Sequence, residues 1–496
     1  MLKKIKGLLF QNQSLKQTIF KNTFWLFSGN IISRLLRAAL LIYAARVIGA
    51  REFGAFNYAL SIAAFFTIFA DFGINAVITR EAASNKEKQE KYFSSALILK
   101  IAVSIFLGGI LIIFYPFLIS HFTSSQADAR LVSTLLPLII LVVLFDTLRD
   151  FGASLFRAWE KMEWESFIQI FTNLVIFVAG IMALKNLPSA KSLTLGYVAG
   201  TGVGMIISLI PFRHYLKNIK QKFSLSLVKE IYQSSWIFGM IGLTGAIMLN
   251  TDSLMIGWLA DIEKVGYYGV SQRLAQLIYL LPALIASAFF PTLAKNFQNR
   301  ERVAFLLKKE LHFLILLALP LSVGGAILSQ SLILLFFGKE YLPSVTPFVL
   351  MALTFLPNFI SIALSNLIFV LKKEKILLKY FFLATIGNIF FNFLFIPWLG
   401  ISGAALSTLI NQTIAFLYLR KKIGQEFSFQ ISPHLEWQKI LLSLTAMVLV
   451  IFLLKAFDLN ALLIVILGGL AYFVGLFLSR ESAINDLRSL FRREKL

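Results

Sequence analysis

Trp25-Leu-Phe-Ser-Gly-Asn-Ile-Ile-Ser-Arg-Leu-Leu-Arg-Ala-Ala-Leu-Leu-Ile-Tyr-Ala-Ala45 is long and apolar enough to cross a bilayer, yet Arg34 and Arg37 sit near its centre. Asn30, Arg34, Arg37 and Leu41 are spaced four, three and four apart. They therefore share one face of a helix. An arginine at the middle of a spanning helix costs about 2.5–3.5 kcal/mol on insertion scales. Two on one stripe must face protein, water or a ligand rather than lipid. A second apolar arm, Gly54 to Thr79, follows at once and carries Asp71, with Arg80-Glu81 at its end.

The rest of the chain continues this alternation. Of 496 residues, 58% are hydrophobic and 15% charged, with a mean hydropathy of +0.78. A soluble globular protein carries about 25% charged residues. Long apolar runs between short polar joints predict an all-α, polytopic membrane protein. The expected spans are 22–45, 54–79, 93–119, 131–152, 166–184, 193–213, 234–258, 267–292, 311–336, 346–371, 376–397, 401–420, 439–457 and 460–479, about fourteen helices. Met1 to Lys21 is basic and polar and does not read as a cleaved signal peptide.

Basic residues collect on alternate joints: Arg80, Lys86, Lys88 and Lys91; Lys217, Lys220 and Lys222; Lys295, Arg300, Arg302, Lys308 and Lys309; Lys372, Lys373 and Lys375; Arg420, Lys421 and Lys422. Such a bias places both termini in the cytoplasm. The net charge of +22 is then a topology signal, spread over many loops, and does not mark a nucleic-acid patch. Cysteine is absent, which excludes disulfides and thiolate metal sites.

Landmarks recur in the second half. Ile48-Gly-Ala-Arg-Glu-Phe-Gly54 returns as Leu259-Ala-Asp-Ile-Glu-Lys-Val-Gly266 with one residue inserted. Phe156-Arg-Ala-Trp-Glu-Lys161 returns as Ile368-Phe-Val-Leu-Lys-Lys373. Shared order and offset predict an internal duplication. With six spans in each copy, the repeats enter the membrane in parallel orientation. The expected organisation is an N-terminal six-helix bundle (1–213), a basic amphipathic connector on the inner lipid surface (214–233) and a C-terminal six-helix bundle (234–420). An additional helix pair with a basic cytoplasmic tail (421–496) completes it.

Other polar residues lie within spans. Asp146 and Arg149, three apart, can pair on one face. Arg157, Trp159 and Lys161 read as interfacial anchors. Asn250-Thr251-Asp252 lies in the seventh span and Arg273 in the eighth; an ion pair between Asp252 and Arg273 is one reading. Asp71 is either tied to a neighbouring helix or free to respond to an ion. Pro282, Pro291, Pro320 and Pro357 mark helix bends. No phosphate-binding G-x-x-x-x-G-K-[ST] loop and no H-E-x-x-H occurs, and the four histidines are scattered. No cofactor or metal is expected, and the short joints argue against an enzyme.

Gly49-Ala-Arg-Glu-Phe-Gly54, Phe72-Gly-Ile-Asn75 with Arg80-Glu81, Gly266-Tyr-Tyr-Gly269 with Gln272-Arg273, Phe337-Gly-Lys-Glu-Tyr341 and Leu399-Gly-Ile-Ser-Gly-Ala-Ala405 resemble the bacterial polysaccharide transporters. These are the O-antigen flippase type of the multidrug/oligosaccharidyl-lipid/polysaccharide exporter superfamily. The resemblance runs over about residues 20 to 420. It implies two six-helix bundles around a central cavity that opens alternately to either side of the inner membrane of a prokaryote. It also implies a lipid-linked, undecaprenyl pyrophosphate-type oligosaccharide as substrate, ion-gradient coupling, and a polymerase and other assembly proteins as partners. Arginine suits a diphosphate by charge and forked geometry. Arg34 and Arg37, then Arg273 and Asn30, are the substrate-binding candidates; Asp71 and Asp252 are candidates for ion coupling or counter-charge. The alternative is a multidrug or small-molecule exporter of the same superfamily, which favours acidic cavity walls. A non-transporting scaffold would have both arginines paired to protein carboxylates.

Overall fold

The computed structural model describes residues 15–84, 88–122, 125–427, 436–457 and 459–481. The first fourteen residues of the N-terminal segment and the basic tail beyond 481 lie outside them. The described residues form helices joined by short turns, with no strand among them. In order these are α1 Leu15–Asp71, α2 Ile74–Ser84, α3 Gln89–Phe122, α4 Gln126–Ala158, α5 Met162–Asn186 and α6 Ala190–Leu209. Two short connector helices follow, α7 Arg213–Lys217 and α8 Ile219–Lys222. Next come α9 Leu225–Leu259, α10 Ile262–Ile278, α11 Leu280–Lys295 and α12 Arg300–Phe336. The last six are α13 Val345–Leu353, α14 Phe355–Val370, α15 Glu374–Leu399, α16 Ile401–Phe427, α17 Trp437–Ala456 and α18 Ala461–Leu478.

Every expected span falls on a helix or on a helix pair broken within the span. By length and apolarity eleven helices can cross a membrane, or twelve when the bent pair α13 and α14 counts as one. The first of these, Gln17–Ser84, holds both arms of the opening stretch, and α16 is not among them. The arrangement is compatible with fourteen spans.

Breaks within the helices have local causes. Gly49 has φ 74° and ψ 171°, so the two arms of α1 meet at a residue a side chain would strain. Helix α10 ends at Ile278, four residues before Pro282, and α13 ends at Leu353, four before Pro357. Proline lacks the amide that would bond the carbonyl four residues earlier. The bend between α13 and α14 is 40°. Pro291 and Pro320, by contrast, sit inside the unbroken α11 and α12.

The chain packs as two compact units, Met1–Gly266 and Tyr267–Leu496. In the first, α1 lies against α4, α5 and α9, and α6 fits between α4 and α5. Small residues permit the closest approaches. A methyl group added at Gly54 would lie 1.9 Å from the Ile262 carbonyl oxygen, and one at Gly266 would lie 2.0 Å from the Ala50 carbonyl oxygen. Each glycine of the repeated joint thus rests on the residue four before the other, a reciprocal contact of the kind a two-fold axis produces. In the second unit, α12, α17 and α18 enclose a cluster of Leu316, Leu328, Ile440, Met447, Ile464 and Tyr472.

The other echoed landmark also matches in geometry. Glu160 has φ 55° and Lys372 has φ 56°. Lys161 donates its amide to the Phe156 carbonyl at 2.9 Å, and Lys373 donates to the Ile368 carbonyl at 3.1 Å. Both segments end in the same left-handed cap, in which the amide five residues on closes the last turn.

Candidate functional site

Asn30, Arg34 and Arg37 lie together on an exposed face of α1. Helix α5 runs alongside and supplies Gln169 and Asn173, four residues apart and so on one face. The Asn30 amide nitrogen donates to the Leu26 carbonyl at 2.8 Å, and its oxygen accepts from Gln169 Nε2 at 3.4 Å. Arg37 donates from Nε and Nη2 to the Asn173 side-chain oxygen at 3.2 and 3.0 Å. Asn173 is buried and donates from Nδ2 to the Gln169 carbonyl at 2.8 Å, which fixes its oxygen toward Arg37. Arg37 is therefore oriented by a neutral amide that leaves its charge in place.

Arg34 makes no hydrogen bond and no ion pair among the described residues, and its charge feels that of Arg37. Like charges on one helix face repel unless an anion lies between them. Helix α4, which packs on α1, brings an acid toward Arg37. Arg149 pairs with Asp146 at 2.7 Å and with Asp150 at 2.8 Å, and Asp146 is within electrostatic reach of Arg37. Both carboxylates are engaged by Arg149, and neither is an ion-pair partner of Arg34 or Arg37 among the described residues.

Several other cations of the first unit are held by protein groups. Arg157 pairs with Glu165 at 3.0 Å, so it is held by protein, where its helix-end position alone reads as a lipid-surface anchor. Lys161 lies over the Trp159 ring at 5.7 Å. Lys21, 1% exposed, meets Glu163 at 2.9 Å.

Asp71 is tied to a neighbouring helix. Its Oδ1 accepts from Lys100 Nζ at 2.7 Å and from the Asn75 amide at 3.3 Å. It thereby bridges the break at Phe72 and Gly73, whose φ angles are 35° and 82°. Lys100 is 0% exposed and Asp71 30%. Removing one member of a buried pair strands the other and costs about 3–5 kcal/mol. Asp71→Asn, which strands the enclosed ammonium, is expected to lower the melting temperature more than Lys100→Met, which strands the wetter carboxylate. The double substitution recovers most of the loss. Equal melting of both single variants and wild type in detergent would count against the pair.

Asp252 is buried on α9, and Asn250 beside it donates to the Ala246 carbonyl at 3.0 Å. Arg273, in the second unit, donates from Nη1 to the Gln276 side-chain oxygen at 3.2 Å. Among the described residues no three histidines or acids are grouped to hold a metal ion. Gln169 and Asn173 were not singled out in the sequence, although their four-residue spacing in an apolar run was the available signal.

The family model described as "Polysaccharide biosynthesis protein" matches residues 19–297. The chain is 23% identical over 417 residues to the capsular polysaccharide biosynthesis protein CapF of Staphylococcus aureus, covering 81% of this chain and 99% of that one. It is 24% identical over 417 residues to the lipopolysaccharide biosynthesis protein WzxC of Escherichia coli (strain K12), covering 82% and 79%. Among solved structures, the lipid II flippase MurJ in an inward closed conformation superposes with a TM-score of 0.70 at 21% identity, over 92% of this chain and 99% of that chain. An inward-facing multidrug resistance MATE family transporter of the MOP superfamily superposes at 0.66 and 13% identity, over 80% and 96%. The fold is the one these transporters share.

Proposed function

Because the chain belongs to the polysaccharide biosynthesis protein family, we propose that it is a flippase. Its cargo is a lipid-linked, undecaprenyl pyrophosphate-type oligosaccharide, moved across the cytoplasmic membrane by alternating access for assembly of a surface polysaccharide. The names of CapF, WzxC and MurJ support the reading. One observation carries it: Arg34 stands beside Arg37 with no acid paired to either among the described residues. A pyrophosphate is multiply anionic and cannot enter hydrocarbon alone, and two guanidinium forks replace its water and counterions.

Asn30 and Arg273 contribute further polar contacts to the head group, and Asp71 and Asp252 act as counter-charges that keep the protein's own cations in place. The polyprenyl tail stays in the bilayer. The two six-helix repeats, 1–213 and 234–420, move against each other, with 214–233 on the inner lipid surface and both termini cytoplasmic. The protein makes and breaks no covalent bond; a polymerase and its assembly partners receive the product in the outer leaflet.

The MATE likeness is of fold alone, and an exporter of cationic drugs needs the opposite sign on this face. The scaffold reading needs both arginines neutralised by protein carboxylates. Proteoliposomes holding both a fluorescent polyprenyl-pyrophosphate oligosaccharide and a fluorescent cationic drug decide between the readings. The glycolipid is expected to become accessible to an external lectin while the drug stays enclosed; drug movement with a stationary glycolipid overturns the proposal.

A further inference from the structure

Glu310, on α12 in the second unit, is 0% exposed, and neither carboxylate oxygen has a hydrogen-bond partner among the described residues. Leu306, Leu307, Leu311 and Leu314, on the same stretch of helix, are buried and apolar. His312 is two residues on, so it points about 200° away around the helix, and it meets Glu481 at 2.6 Å. Lys308 and Lys309 each have an interaction of their own, and neither donates a hydrogen bond to Glu310.

The elements packed on α12 carry few other charges. Helix α11 has Lys295, and the turn Lys339–Ser344 has Lys339, Glu340 and Tyr341. Helices α13 and α14 have none. Helix α17 has Lys439, which is paired to Glu436, and Lys455. Helix α18 has Tyr472, which donates to the Leu316 carbonyl at 3.0 Å, and is followed by Arg480 and Glu481. None of these groups donates a hydrogen bond to Glu310.

An ionised carboxylate in such a place costs several kcal/mol, so the group carries its proton here. A neutral acid with unmet hydrogen bonds is still less stable there than a fitting apolar residue. No described residue offsets that cost, which points to a compensating gain in another conformation. Two oxygens from one residue fall well short of the six or so that a hard metal cation takes, whereas a single proton satisfies the group.

We propose that Glu310 is a proton-binding site through which a proton gradient drives the conformational cycle. The proton is held while α12 is packed as seen here. It passes to water when the Arg300 end of α12 opens, and the carboxylate then stays ionised until that end closes.

The proton site itself is tested without any transport assay. The full-length protein in detergent is treated with dicyclohexylcarbodiimide, which attacks protonated carboxyl groups in apolar surroundings, and its peptides are weighed. An adduct on Glu310 in mildly acidic buffer that disappears in alkaline buffer is expected; an unmodified Glu310 in acidic buffer overturns the proposal. The coupling role rests on the flippase reading and is tested with Glu310→Gln, which mimics the protonated form and keeps the fold. In proteoliposomes it is expected to move glycolipid but lose all stimulation by an imposed proton gradient. Stimulation equal to wild type overturns the coupling. Failure of the wild-type protein to move glycolipid overturns the flippase reading and the coupling role together, while the labelling result stands.

Discussion

Replacing Arg34 and Arg37 together by alanine abolishes export of surface polysaccharide while the protein remains in the membrane at its normal level. Truncating one partner of a desolvated, hydrogen-bonded charge pair costs about 2–5 kcal/mol. Even the lower figure is about a thirtyfold loss for each arginine. The two single variants separate in stability. Arg34 has no partner among the described residues, so Arg34→Ala strands none of them and relieves the insertion cost of about 2.5–3.5 kcal/mol. It is expected to melt at or above the wild-type temperature while exporting poorly, a trade of stability against activity. Arg37→Ala strands the buried Asn173 oxygen and is expected to melt lower. Arg34→Lys keeps the charge without the fork and recovers only part of the export. Surface immunoblots, membrane quantitation and melting in detergent read these outcomes; normal export by the double variant removes the site assignment.

Gly54→Ala, a change of one methyl group, prevents accumulation of folded protein, and Gly266→Ala does the same. The added carbon would sit 1.9 Å from the Ile262 oxygen in one case and 2.0 Å from the Ala50 oxygen in the other. Both obstacles are backbone, which no side-chain rotation can clear. The helices must part by more than an ångström, and the apolar contacts around the crossing open with them. Gly109→Ala is the control, because nothing lies within 4 Å of the added group. It is expected to be neutral or slightly stabilising. Size-exclusion profiles and melting curves compare the three variants; a wild-type profile for Gly54→Ala would show that the crossing tolerates separation.

Features set by neighbouring residues were readable in advance. Hydropathy and the helical period depend on residues close in sequence, so each apolar run became a helix. Two of the four prolines foretold breaks, since α10 and α13 end four residues before Pro282 and Pro357, whereas Pro291 and Pro320 lie within continuous helices. The echo of Phe156–Lys161 in Ile368–Lys373 foretold a shared form, and both end in the same left-handed cap. Partners across helices were not readable. Asn173 is 136 residues from Arg37, and their meeting depends on the rotation and depth of two helices, which no local pattern fixes. Lys100 as the partner of Asp71 is of the same kind. Arg157 shows the limit in reverse: at a helix end its default is the lipid surface, yet Glu165 across the turn takes it.

The back-to-back glycines bind two like stretches of chain to one geometry. Ala50–Gly54 and Ile262–Gly266 touch through corresponding atoms in both directions, the contact that two identical half-length chains make when they dock face to face. Gly245 and Met248, which stand before the second joint as Arg34 and Arg37 stand before the first, carry no charge. Backbone contact thus holds the two joints alike, whereas the side chains ahead of them differ in charge.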